Sequence, residues 1–134
     1  MILEHAAIWT DHLEILKDFY ITYLGGKSGV KYVNPSKNYE SYFISFGNGA
    51  RLELMSKPNI PDNLNDTVSF QHKGIIHLAF EAASRQEVDE KARLFLANGF
   101  LLLDGPRVTG DGYYEFVTLD PDKNRIEVTT QIAD

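Results

Sequence analysis

The sequence predicts an α+β fold: a β-α-β-β-β unit used twice, giving a cupped mixed sheet with its helices outside. Three observations carry this expectation. Short apolar runs alternate with two amphipathic stretches. The order of elements in the first half recurs in the second. A His and a Glu recur in phase with it, His5 with Glu53 and His77 with Glu127, at spacings of 48 and 50 residues. Two copies are too few for a solenoid, so a paired, curved sheet is the better architecture.

The elements follow in order. Residues 2–9 form an apolar strand interrupted by Glu4 and His5. Asp11 with Glu14 three residues later resembles a capping box. Leu13, Leu16, Tyr20 and Tyr23 then recur at helical spacing, with Ile15 and Phe19 widening the stripe. Gly25-Gly26 ends that helix. Strands are expected near 28–33, 39–46 and 50–56, the last two joined by a Gly47-Asn48-Gly49 turn. Residues 57–73 are a polar connector with Pro58 and Pro61, too long for a simple turn. A strand over 74–81 opens the second half. Ser84 with Glu87 is a capping box, Val88, Ala92 and Phe95 make the helical stripe, and Gly99 ends it. Strands near 100–103, 112–119 and 124–131 follow, with Asp120-Pro121-Asp122 as the last turn. Gly25 maps on Gly99 and Glu53 on Glu127 at an offset of 74; His5 maps on His77 at 72. The chain reads as one domain over 1–134, made of modules at about 1–56 and 74–134.

Composition narrows the function classes. A 43% hydrophobic, 12% aromatic chain can bury a core and does not read as disordered. A net charge of −6 argues against a nucleic-acid or anionic-membrane partner. The absence of Cys excludes disulfides, thiolate nucleophiles and cysteine metal ligands. No apolar stretch is long enough for a membrane span and no basic leader precedes one, so the expected setting is cytoplasmic.

Alternation within strands puts the four recurring residues on one face. Leu52 and Leu54 flank Glu53, Ile126 and Val128 flank Glu127, and Ile76 and Leu78 flank His77. Ala6 and Ile8 lie opposite His5. The apolar neighbours are therefore expected against the helices, with His5, Glu53, His77 and Glu127 on the other face as an N₂O₂ set for a divalent metal. A lone strand His is more often a hydrogen-bonded structural residue, and a lone strand Glu a solvated one. Recurrence in phase favours the metal site, because structural residues have little reason to repeat together. Trp9 shares the face of His5 and is a candidate to line a substrate cavity, with core packing as its alternative. Arg51 and Arg125 each precede a Glu by two residues, placed to hold an anionic substrate or to pair with nearby acids. The glycines at 105, 110 and 112 punctuate a loop suited to bordering a pocket, which makes Tyr114 a further substrate-binding candidate.

The segments LEHAAI, LKDFYITYLGG, RLELM, GIIHLAF and LDPDKNRIEV, in that order over essentially the whole chain, resemble the vicinal oxygen chelate superfamily. That group includes glyoxalase I, fosfomycin-resistance transferases, methylmalonyl-CoA epimerase, bleomycin-resistance proteins and extradiol dioxygenases. The resemblance implies paired βαβββ modules, metal ligands at His5, Glu53, His77 and Glu127, and commonly a homodimer. The His-Glu-His-Glu set is most similar to bacterial glyoxalase I. It implies one Ni²⁺, Co²⁺, Zn²⁺ or Mn²⁺ per site and an isomerase or lyase working through a metal-stabilised enediolate, with Glu127 or Glu53 as the proton-transferring base. The alternatives are a metal-dependent thiol transferase of the fosfomycin-resistance type and a non-catalytic small-molecule binder. Glutathione-using glyoxalases carry an Arg four residues after the first His and an Asn shortly after the first Glu. Trp9 and Ser56-Lys57 stand there instead, which points to a different thiol adduct or another small oxygenated substrate.

Overall fold

The computed structural model describes residues 1–133. They group into two compact units, one over Met1–Leu64 and one from Asn65 onward, so the polar connector is divided between them.

In the first unit the chain runs β1 (His5–Trp9), α1 (Leu13–Leu24), β2 (Lys27–Ser28), β3 (Tyr32–Asn34), a 3₁₀ turn (Pro35–Lys37), β4 (Tyr39–Ser45) and β5 (Arg51–Ser56). The sheet order is β1-β5-β4-β2, with β3 also on β4. β1 and β5 are parallel, as a crossover through a helix requires, and the other pairings are antiparallel. α1 packs on β4 and β5. Leu13, Leu16, Phe19 and Tyr20 of the helix meet Ile44, Leu52 and Leu54 of the sheet in the core. Each fully buried aliphatic side chain there contributes roughly 1.5–3 kcal/mol by leaving water.

The second unit repeats this plan with β6 (His77–Glu81), α2 (Arg85–Ala97), β7 (Leu102–Val108), β8 (Tyr113–Leu119) and β9 (Arg125–Gln131), in sheet order β6-β9-β8-β7. α2 lies on β7, β8 and β9, and Val88, Ala92 and Phe95 pack with Phe116, Ile126 and Val128. The duplication extends to register. His5 stands opposite Arg51 and Ala7 opposite Glu53; His77 stands opposite Arg125 and Ala79 opposite Glu127. No helix among the described residues is long and apolar enough to cross a membrane.

Three expectations need correction. The Asp11–Glu14 capping box does not form: His12 is the N-cap of α1 and makes no side-chain cap bond. Its backbone N–H donates instead to Thr10 Oγ1 at 2.8 Å, and Glu14 is drawn away by Lys31 and Tyr42. The strand expected over 28–33 is two short pieces, β2 and β3, because the chain leaves β4 between Gly29 and Lys31. β7 runs on to Val108 through Gly105-Pro106, which reads in sequence as a loop. Pro106 lacks an N–H but lies in an edge strand, where register shifts on either side of Asp104 absorb it.

The other terminators behave as expected. Gly25 caps α1 in the left-handed region at φ 71°. Ser84 Oγ accepts the Glu87 N–H at 3.1 Å, and Glu87 accepts the Ala83 N–H at 2.6 Å. The Asp120-Pro121-Asp122 turn is built on one buried carboxylate. Asp120 Oδ1 accepts the N–H groups of Asp122 and Asn124, each at 2.9 Å, and Oδ2 accepts Asn124 Nδ2 at 2.8 Å. That turn delivers β9 in the register that places Arg125 and Glu127.

Candidate metal centre

The first unit presents half of the candidate set. Along β1, His5, Ala7 and Trp9 are exposed while Ala6 and Ile8 turn toward the helix side. In a parallel pair, opposed residues share a face, so Glu53 joins His5 and Trp9, and Leu52 and Leu54 are buried behind it. Phe43 stands opposite Glu53 on β4, and the His5 ring meets it edge-on at 5.3 Å between centroids. His5 Nδ1 is engaged by the Glu4 carboxylate, which leaves Nε2 as the nitrogen facing away. Glu4 also takes Arg51, whose guanidinium lies 4.1 Å over the Phe43 ring. The hydrogen bond with His5, and then that with Arg51, hold the Glu4 carboxyl below the usual range. A carboxylate on one ring nitrogen fixes the orientation and tautomer of a metal-binding histidine.

The second unit presents the matching half. His77 Nε2 and Glu127 Oε2 are 3.5 Å apart, with the side chains 37% and 16% exposed. That gap is close to the about 3.4 Å separating two ligands of one tetrahedral ion with bonds of about 2.1 Å. Beside them stands Glu115, two register positions along β8 from the residue opposite Glu127. Burial, and then its hydrogen bond and charge repulsion with Glu127, raise the Glu115 carboxyl to about 7. Arg107 stands opposite Glu115 on β7, with its Nε donating to Asp104 Oδ2 at 2.7 Å. Thr129, also opposite Glu115, has a buried hydroxyl oxygen with no hydrogen-bond partner among the described residues.

Each unit therefore offers one nitrogen and one carboxylate donor on the face away from its helix. Among the described residues no three His, Asp or Glu side chains converge as a metal-holding group. In chemistry and in the 3.5 Å spacing of the second pair, the donors suit a divalent ion.

The remaining candidates are distributed differently. Trp9 shares the face of His5 and lines a cavity. Arg51 is committed to Glu4 and Phe43. Arg125 clamps the connector, with Nε donating to the Thr67 carbonyl at 2.7 Å and Nη2 to that of Val68 at 3.2 Å. Tyr114 faces α2: its hydroxyl donates to Asp89 at 2.6 Å and the Arg85 guanidinium lies 4.4 Å over its ring. Sequence reasoning passed over Glu4 and Glu115. Strand alternation puts Glu115 on the face of Val117, but that Val117 stands opposite Glu127 is set by the pairing of β8 with β9. Its burial beside a second carboxylate has no local signature.

Known proteins share this architecture. The trypanothione-dependent glyoxalase I of Leishmania major superposes with a TM-score of 0.76 at 21% identity, over 97% of this chain and 86% of that one. A glyoxalase/dioxygenase from Nostoc punctiforme gives 0.75 at 18% identity, over 98% and 91%. At such identities the likeness is one of fold. In sequence, the uncharacterized protein YqjT of Bacillus subtilis is 36% identical over 58 residues, which span 41% of this chain and less than half, 45%, of YqjT. Residues 2–128 match the family model of the Glyoxalase/Bleomycin resistance protein/Dioxygenase superfamily, and the chain belongs to that superfamily.

Proposed function

We propose that this protein is a metal-dependent isomerase or lyase of the glyoxalase type, acting on a small oxygenated substrate such as a thiol adduct. The observation that carries the reading is the His–Glu pair repeated at the same register positions of two parallel strand pairs, on the face away from the helix each time. His5, Glu53, His77 and Glu127 would hold the ion, Ni²⁺, Co²⁺, Zn²⁺ or Mn²⁺, in a homodimer of the kind the resemblance implies. When bound, the ion supplies Lewis-acid stabilisation of charge on adjacent substrate oxygens.

The chain's own groups do the rest. Glu127 is the favoured base, taking a proton from a substrate carbon and returning it to the neighbouring carbon; Glu53 is its symmetry counterpart. Glu115, on the same face of β8 two positions from the residue opposite Glu127, restrains the orientation of that carboxylate. Glu4 does the same for the His5 ring. Arg51, Arg125 and Tyr114 each have partners within the chain, which favours structural roles for them over substrate binding.

The test is metal analysis of the purified, reconstituted protein beside the double variant His77→Ala, Glu127→Ala. The expected result is about one divalent ion per four-ligand site in the wild type and loss in the variant. Isomerisation of thiol hemiacetals by wild-type protein loaded with Ni²⁺, Co²⁺ or Zn²⁺ then follows. A wild type that takes up no metal sinks the enzyme reading and leaves a small-molecule binder.

A further inference from the structure

The face that carries His5 and Glu53 holds a second chemical feature at its other end. Trp9, Tyr32, Asn34, Lys37, Tyr39 and Lys57 line a cavity of about 540 Å³, within the range of small-molecule sites. Its walls are aromatic planes. Trp9 meets Tyr39 edge-to-face at 6.1 Å between ring centroids, and Tyr32 meets Tyr39 at 6.0 Å. Trp9 and Tyr32 are exposed, so ring surface is open to an incoming group. Asn34 Nδ2 donates to the Tyr32 hydroxyl at 3.4 Å and ties that ring to the 3₁₀ turn that carries Lys37.

The charge of this cavity runs against that of the chain. The protein carries −6 overall, yet the only ionisable cations and anions lining the cavity, apart from the tyrosines, are two lysines. Lys57 Nζ sits 5.3 Å over the Trp9 ring. Among the described residues neither Lys37 nor Lys57 has a carboxylate partner. Glu40, on the same strand as Tyr39, is taken by Lys31 at 3.4 Å. Asp11 and Glu40 line the adjoining hollow, which shares Asn34, Tyr39 and Lys57 with the cavity. Two ammonium groups without counter-ions, beside flat apolar walls, suit a planar group bearing negative charge.

We propose that this cavity binds a flat anionic group, an aromatic or conjugated ring bearing a carboxylate or phosphate, at the end of the substrate remote from the metal. The proposal rests on the reading of His5 and Glu53 as the reacting end. Trp9 is four residues along β1 from His5, about 13 Å at strand rise, which sets the length of the molecule that would span both. The aromatic planes select the ring and the lysines select its charge, so neither a bare anion nor a neutral ring satisfies the cavity.

Trp9 is the only tryptophan, so its fluorescence reports on this cavity alone. The experiment titrates metal-free protein, in chelator, with phenyl phosphate, benzoate, inorganic phosphate and benzyl alcohol. Saturable change is expected with phenyl phosphate or benzoate, and the stronger of the two tells which anion is preferred. Inorganic phosphate and benzyl alcohol are expected to bind at least about tenfold more weakly, and Lys37→Ala/Lys57→Ala to weaken the ring anion by about tenfold or more. Both lysines are outside the core, and far-UV circular dichroism verifies the variant's fold; the single variants serve in its place if it does not fold. No saturable change, equal binding of the neutral ring or the bare anion, or indifference to the lysine substitutions overturns the proposal. Because the titration excludes metal, its failure leaves metal uptake untouched, and a failure of metal uptake leaves the titration untouched.

Discussion

Glu14 shows how far a residue's role departs from its local context. It stands where a first-turn acid would close a capping box, yet its carboxylate goes to Lys31 at 2.7 Å and Lys17 at 3.2 Å and accepts the Tyr42 hydroxyl at 3.0 Å. The hydrogen bond from Lys31 is the largest influence, and together with those from Tyr42 and Lys17 it lowers the Glu14 carboxyl from 4.5 to about 2. The folded state thus binds the proton less tightly than the unfolded chain does. The stability this confers is present above about pH 4.5 and is lost as pH falls through about 2. Lys31→Met is expected to lower stability above pH 4.5, with the difference from wild type closing toward pH 2. Urea unfolding across that range checks it. The effect is small, because the group is half exposed, and it shrinks in high salt. The same local blindness explains Glu115: its proximity to Glu127 depends on strand pairing between residues that nothing in either heptapeptide reveals.

At the scale of elements, the two helices start by different means although the sequence offers each an acid three residues after a capping residue. α2 uses the Ser84 side chain, whereas α1 relies on Thr10, which accepts the His12 N–H from two residues before the N-cap. Thr10 is buried and Asp11 is exposed. Thr10→Ala is therefore expected to cost about 1 kcal/mol, as Ser84→Ala would, while Asp11→Ala stays within about 0.5 kcal/mol of wild type. Denaturant unfolding of the three variants separates these outcomes; a larger cost at Asp11 than at Thr10 would reinstate the capping box. The strands follow the same logic. Alternation in β1, β5, β6 and β9 is regular enough to assign faces from sequence. β7 is not, because Gly105 at φ 77° leaves no room for a side chain against the Glu115 carbonyl, and the bulge around it depends on β8.

For the whole molecule, a ligand that binds only the folded state adds to its stability by mass action. Saturation with Ni²⁺ at about a hundred times its dissociation constant is expected to stabilise the wild type by about 2.7 kcal/mol. The His77→Ala, Glu127→Ala variant is expected to show no such shift. Thermal unfolding with and without the ion reads this directly, and an equal shift in both proteins would place the binding elsewhere.

The amino-acid sequence by itself determined the duplicated order of elements, the helix stripes, the faces of the main strands and the four recurring donors. Each is a local or periodic property: side-chain direction follows strand pleat, and a repeat in chemistry follows a repeat in fold. Only the tertiary structure decided which candidates were already spoken for. Arg125 reaches carbonyls 57 and 58 residues away, Arg51 reaches Glu4 across 47, and Tyr114 reaches Asp89 across 25. It alone placed Glu4 on His5, set Glu115 beside Glu127, and gathered Trp9, Tyr39 and two lysines around one cavity. Apart from the contact between the sequence neighbours Glu4 and His5, those groupings are set by register and by loops closing over long sequence separations, which no window of neighbouring residues encodes.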